Sequence, residues 1–252
     1  MNKVRVIARI DVKNEFAIKG IHLEGLRKVG NPNEMARNYY DEGIDEIIFM
    51  DAVAAYYDRN SLSDLLKDAC TGVFIPITVG GGIRTISDIR KALKSGADKV
   101  AINTKAVQEP DFISQASKVF GSQCIIASIE AKSINDGKWE VYIDNGREPT
   151  GIDVFVWAKQ LEELGAGEIM LTSIDKEGTK KGFDVDLCEV VSSQVSIPVI
   201  ASGGMGEAHD AIKLIHHTNI DAFAVASVLH YKMDSIQNIK RSLEKNKIRV
   251  RI

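Results

Sequence analysis

The chain has 252 residues, of which 44% are hydrophobic and 27% charged, with a formal net charge of −3, the balance of a globular protein with a sizeable core. So small a net charge supplies no global basic field, which argues against nucleic acid or an anionic membrane as partner. The three cysteines (Cys70, Cys124 and Cys188) are too widely spaced for a metal motif and read as buried free thiols.

The N-terminus runs straight into an apolar strand with a charge inside it. It carries no signal-like apolar segment, and no uninterrupted apolar run is long enough to span a bilayer, so the expected location is cytoplasmic. Short β-rich apolar runs follow at 4–11, 46–52, 76–81, 99–104, 125–131, 168–174, 198–204 and 222–228. Their near-continuous apolar character is that of strands buried on both faces. Amphipathic helix patterns lie between them, such as Ile86-Ser87-Asp88-Ile89-Arg90-Lys91-Ala92-Leu93 and Phe155-Val156-Trp157-Ala158-Lys159-Gln160-Leu161. Glycine stop signals follow at Gly96 and Gly165. One stretch, 138–147, breaks the alternation. Its period of two and its Asn145-Gly146 pair predict a β-hairpin inserted after the fifth strand, on the face where loops follow strand ends. There it either covers a substrate or is plain loop structure.

The two halves of the chain echo each other. Val79-Gly80-Gly81-Gly82 returns as Ala201-Ser202-Gly203-Gly204, the run from Glu46 returns at Glu168, and Asp11-Val12-Lys13 returns as Glu130-Ala131-Lys132, each about 120 residues further on. Such an echo implies two (β/α)₄ half-barrels closing into one (β/α)₈ TIM barrel over residues 1–252. The alternative, an open doubly wound sheet, requires no half-chain repeat.

The glycine runs follow the third and seventh strands. Glycine allows backbone N–H groups to approach a phosphate closely, and the next helix adds its positive N-terminus. Gly203, Gly204, Ala226 and Ser227 therefore form one expected phosphate cradle, and Gly81, Gly82, Asn103 and Thr104 its equivalent. Two such cradles predict an elongated bisphosphate across the barrel mouth; otherwise the glycines merely permit tight turns. Asp11 and Glu130 end the first and fifth strands, on opposite sides of the ring, where two carboxylates can serve as general acid and general base. Asp51, Asp175 and Glu177 stand near other strand ends, where acids also cap helices or face solvent. Arg5, Glu46, Lys99 and Glu168 stand where four strands begin. They are either ordinary surface charges or a mutually paired ring.

These motifs, with Ile18-Lys19-Gly20, Val79-Gly80-Gly81-Gly82-Ile83-Arg84, Phe120-Gly121-Ser122-Gln123-Cys124 and Ile197-Pro198-Val199-Ile200-Ala201-Ser202-Gly203-Gly204, resemble the cyclase-subunit family of imidazole glycerol phosphate synthase over essentially the whole chain. The isomerase barrel of the same pathway is also a half-repeat protein, but Phe120-Gly121-Ser122-Gln123 and the four strand-start charges favour the cyclase. The resemblance implies a reaction in which ammonia from a partner glutaminase attacks a ribulosyl aminoimidazole carboxamide bisphosphate. Cyclisation and cleavage then give imidazole glycerol phosphate and an aminoimidazole carboxamide ribotide, without a metal or other cofactor. It assigns the catalytic acids to Asp11 and the position of Glu130, and places Lys19 on a first loop that closes over substrate. Asp51, Thr172, Glu177, Gly178 and Ser202 join the substrate-binding set. The four strand-start charges become an ammonia gate, and Asp98 and Gln123 fall on the face of a heterodimer with the glutaminase.

The chain also departs from that family. Ala8-Arg9 stands where Pro-Cys is usual, which sends Arg9 into or near the barrel interior. Glu130 and Glu177 stand where aspartate is usual, each extending its carboxyl by on the order of 1.5 Å, and catalysis can be lost over about 1 Å of misplacement. Asp51-Ala52-Val53-Ala54-Ala55 lacks the usual Thr and Ser. Two readings follow from the resemblance: the histidine-pathway cyclase, or a paralogue that channels ammonia from a glutaminase to another acceptor, such as a surface-glycan sugar.

Overall fold

The computed structural model describes residues 3–52, 62–135 and 137–251. In chain order its strands are β1 (Arg5–Lys13), β2 (Phe16–Ile21), β3 (Glu24–Gly30), β4 (Glu46–Asp51), β5 (Ile77–Gly80), β6 (Lys99–Ile102), β7 (Ile125–Asn135), β8 (Lys138–Ile143), β9 (Glu148–Asp153), β10 (Glu168–Ser173), β11 (Val199–Ser202) and β12 (Ala222–Val225). Eight of them, in the order β1-β4-β5-β6-β7-β10-β11-β12, form an all-parallel ring that β12 closes onto β1. Helices fill the connections, so the fold is a closed (β/α)₈ barrel.

The sequence chemistry of each part is ordinary. Asn31 caps the Pro32–Asp41 helix, accepting from the backbone N–H groups of Asn33 and Glu34, and Pro32 fits the first helical turn. Thr85 and Asp88 form a capping box at the start of the Ile86–Lys94 helix. Alternation along each strand separates two apolar regions. On β1, Val6, Ala8, Ile10 and Val12 face the helices, where the larger core lies. Ile7 faces the barrel axis and packs with Ile48, Ala101, Ile126, Met170, Ile200, Ala222 and Ala224 into an apolar lumen.

All eight expected strands are present, most ending earlier than their apolar runs. Gly81 and Gly203 have φ values of 89° and 95°, outside the β region, so strands β5 and β11 stop before them. Thr104 and Ser227 are the first residues of short helices (Thr104–Gln108 and Ser227–His230), not strand residues.

The hairpin expected at 138–147 is part of a larger unit. β7 continues out of the barrel to Asn135 and pairs antiparallel with β8, which pairs with β9. The first half contains the same device where a first loop is expected: β1 runs past the barrel and pairs antiparallel with β2, which pairs with β3. Lys19 therefore stands on a strand, where it pairs with Arg27 of β3. Of the cysteines only Cys188 is buried; Cys70 and Cys124 are half-buried. Among the described residues, no helix is long and apolar enough to cross a membrane. Val53, Ala54 and Ala55, part of one departure from the family pattern, lie outside the described residues.

Candidate active site

The two ends of the lumen carry different charged clusters. At the N-terminal end Arg5, Glu46, Lys99 and Glu168 close into a ring. Arg5 Nη1 lies 2.7 Å from Glu46 Oε1 and Arg5 Nη2 contacts Glu168 Oε1. Lys99 Nζ lies 3.2 Å from Glu46 Oε2 and 3.0 Å from Glu168 Oε2. The four are therefore not independent surface charges. Burial works against the Arg5 charge, but Glu168 and Glu46 outweigh it and raise its pKa.

At the C-terminal end, Asp11 and Glu130 stand on β1 and β7, four strands apart in the eight-strand ring, so they face each other across the mouth. Both are buried. Glu130 Oε2 accepts from Asn103 Nδ2 at 3.1 Å and from the Gly146 backbone N–H at 2.8 Å. Burial pushes the Glu130 carboxyl up to about 7, with Asp11 and Asp144 adding to the rise and Arg9 opposing it. Burial also disfavours charge on Asp11, but Arg9 and Lys19 more than reverse it and hold that carboxyl below the usual range.

The two glycine cradles match in backbone and differ in what occupies them. The one after β5 opens on a cavity of about 240 Å³ lined by Asp51, Gly81, Gly82, Asn103, Thr104 and Glu130. Arg84 and Lys105 add positive charge to its wall, and Asp144 and Asn145 of the β8–β9 turn border it. Thr104 Oγ1 meets Asp144 Oδ1 at 3.3 Å, which ties that turn to the cradle. The second cradle, lined by Gly178, Ser202, Gly203, Gly204, Ala226 and Ser227, has only about 10 Å³, room for about one water. Lys19 fills it: Nζ contacts Glu177 Oε1 and lies 3.6 Å from Asp11 Oδ2. Burial lowers the Lys19 pKa to about 8, with Asp11 opposing the shift and Arg9 adding to it.

The helices that follow the cradles have five and four residues, too short for the helix-dipole contribution expected of them. The glycines also serve packing. A Cβ on Gly81 would come within 2.3 Å of the Asp51 carbonyl oxygen, and one on Gly204 within 2.1 Å of that of Gly182.

Of the remaining acids, Asp175 accepts from the Ser133 N–H at 2.8 Å and so braces the extension of β7. Thr172 and Ser202 project into the lumen, where both hydroxyls accept from Arg9 Nη1 at 3.1 Å. Asp98 and Gln123 are exposed at the N-terminal face, where Asp98 also accepts from the Ile77 N–H that begins β5. The sequence reading missed two residues. Phe74, just before β5, is 75% exposed and meets Tyr40 edge-on. Asp184 accepts from both Trp139 Nε1 and Ser173 Oγ, clamping β8 to the barrel. An aromatic in the short link into a strand was the available signal for Phe74; Asp184 gave none.

Comparison with known proteins agrees with this architecture. The family model described as "Histidine biosynthesis protein" matches residues 5–235. The chain is 60% identical over 210 residues to a protein of Legionella pneumophila named "Imidazole glycerol phosphate synthase subunit HisF", covering 83% of this chain and 99% of that protein. It is 47% identical over 248 residues to the HisF subunit of Hydrogenobaculum sp. (strain Y04AAS1), and 46% identical over 248 residues to that of Bacillus cereus (strain Q1), with 98% of each chain covered in both cases.

Proposed function

The chain belongs to the HisF family of imidazole glycerol phosphate synthase subunits, and we propose that it performs the cyclase reaction with ammonia delivered through the barrel from a glutaminase. The observation that carries this reading is one apolar lumen with a closed ion-pair ring at its base and two opposed buried carboxyls at its mouth. Ammonia is small and neutral, so a ring that parts slightly passes it while hydrated ions are held back. At the mouth, adding ammonia to a ribulosyl carbonyl and closing the imidazole both move protons and build positive charge, which calls for the opposed carboxyls of Asp11 and Glu130. The bisphosphate lies across the mouth with one phosphate on Gly82, Asn103 and Thr104 and the other on Gly203, Gly204, Ala226 and Ser227. For the second to seat, Lys19 must leave Glu177 and turn to the phosphate. The glutaminase docks on the face that bears Asp98 and Gln123, and Phe74 supplies an aromatic anchor there.

A second reading has one observation in its favour: the second cradle is occupied by the chain's own Lys19–Glu177 pair. Under it the barrel passes ammonia to another acceptor and does not bind the bisphosphate. Complementation of a histidine auxotroph lacking the cyclase subunit separates the two. Growth without histidine is the expected result; failure to grow with a soluble, glutaminase-bound chain would favour the second.

A further inference from the structure

Above the apolar lumen, between Ile7 and Asp11 on β1, the inward position is taken by Arg9, which is 3% exposed. Its guanidinium is held from three directions. Nε donates to Asp11 Oδ1 at 2.8 Å, and Nη1 donates to Thr172 Oγ1 and to Ser202 Oγ, each at 3.1 Å. Those hydroxyls belong to β10 and β11, three and two strands from β1 around the ring, so the side chain is braced on a distant wall of the barrel. A guanidinium pinned in this way cannot follow solvent or rotate off its carboxylate without breaking bonds in a buried site.

The two facing carboxyls therefore live in different surroundings. Asp11 touches Arg9 on one oxygen, and Lys19 lies 3.6 Å from the other. The other titratable group facing Asp11 is His230, whose ring lies 2.8 Å from the Tyr39 hydroxyl. Burial, aided by Lys19, lowers the His230 pKa to about 4, so it adds no positive charge at neutral pH. Glu130 takes its hydrogen bonds from neutral donors, Asn103 and Gly146, and the charges that face it are Arg9, Asp11 and Asp144.

We infer that Arg9 is a positioning residue: its ion pair keeps Asp11 ionised and leaves Glu130 as the carboxyl that exchanges protons during turnover. Proton exchange by Glu130 in turnover rests on the cyclase reading; the hold of Arg9 on Asp11 does not. The two carboxyls titrate accordingly, Asp11 held below the usual carboxylate range and Glu130 raised to about 7.

The test is a ¹³C-carboxyl NMR titration of the full chain, with resonances assigned through Asp11→Asn and Glu130→Gln. The native protein is expected to show Asp11 ionised through the whole folded range and Glu130 titrating near neutrality. In Arg9→Gln the Asp11 midpoint should rise by at least about one pH unit, and Arg9→Lys should restore most of that shift. The ammonium-dependent rate should gain an acidic limb that follows Asp11. If Arg9→Gln does not fold, Thr172→Val, which removes one brace, should move the Asp11 midpoint in the same direction by less. An Asp11 midpoint that stays put in either folded variant, or Asp11 and Glu130 titrating together in the native protein, would overturn the inference. No cyclase activity with the titration as described would fault the reaction and still support the hold of Arg9 on Asp11.

Discussion

Both ends of the lumen carry side chains of both charges, yet the two clusters differ in how far water reaches them. In the basal ring the cations remain partly reachable by solvent, with side-chain exposures of 23% for Arg5 and 19% for Lys99. In the upper cluster Arg9, Asp11, Lys19 and Glu177 are all below 10%. When the basal ring parts, water can partly solvate its cations although Glu46 and Glu168 are buried, whereas parting the upper cluster leaves both partners buried and uncompensated, at several kcal/mol. Under the proposed function the lower cluster is the one suited to passage, and the upper one to fixing the charge of a carboxyl.

Removing the upper chemistry is expected to give the largest effect. Asp11→Asn and Glu130→Gln should each lower ammonium-dependent turnover by on the order of 10²–10⁴-fold, while inorganic phosphate binding at the glycine cradles changes little. Steady-state rates beside a phosphate titration check both halves, and undiminished turnover would remove that residue from the reaction. Opening the basal ring should act on coupling and not on chemistry. Lys99→Ala should leave glutamine hydrolysis by the bound glutaminase running while the ratio of glutamate to cyclised product rises several-fold. An unchanged ratio would return the four charges to a structural role.

The upper cluster also makes a pH prediction. Glu130 ordinarily titrates at 4.5 and is raised to about 7 in the fold. Below 4.5 the carboxyl is protonated in both folded and unfolded chains. Between 4.5 and 7 only the unfolded chain ionises, so stability falls as pH rises through this window and stays low above it. Glu130→Gln removes that penalty. It should be more stable than the native chain at pH 8, by about 3 kcal/mol at most, and no more stable at pH 4.5 on this account. Urea unfolding at the two pH values measures the difference. A smaller effect is expected of Gly146→Ala, whose added Cβ would come within 2.8 Å of Leu23 Cδ1 at a φ of 75°. It should cost about 1 kcal/mol and disturb the N–H that Glu130 accepts from, which a thermal melt and the Glu130 titration would register together.

The barrel was legible because burial on both faces writes continuous apolar runs, and the half-chain echo fixed their number and closure. The placement of Asp11 opposite Glu130, and of each glycine run beside Asn103–Thr104 or Ala226–Ser227, was legible from the same echo. The ring needed a third dimension: Arg5, Glu46, Lys99 and Glu168 are far apart in sequence and alone read equally well as solvated strand starts. The meander of β1, β2 and β3 was missed because residues 14–30 lack the clean alternation and Asn-Gly turn that marked its counterpart. The filled second cradle was also out of reach, because glycine spacing records where a backbone can approach an anion and not that Lys19 and Glu177 meet there first. Arg9 was legible as an intruder in the lumen; its three hydrogen bonds were not.

The central claim is that the upper and lower clusters serve one cyclisation fed by ammonia. The most direct measurement mixes the purified chain with the ribulosyl aminoimidazole carboxamide bisphosphate, first with ammonium salt and then with glutamine and the glutaminase partner. The expected result is imidazole glycerol phosphate from both mixtures, with Lys99→Ala impairing only the second. Substrate recovered intact from both, by a chain that still binds the glutaminase, would contradict it.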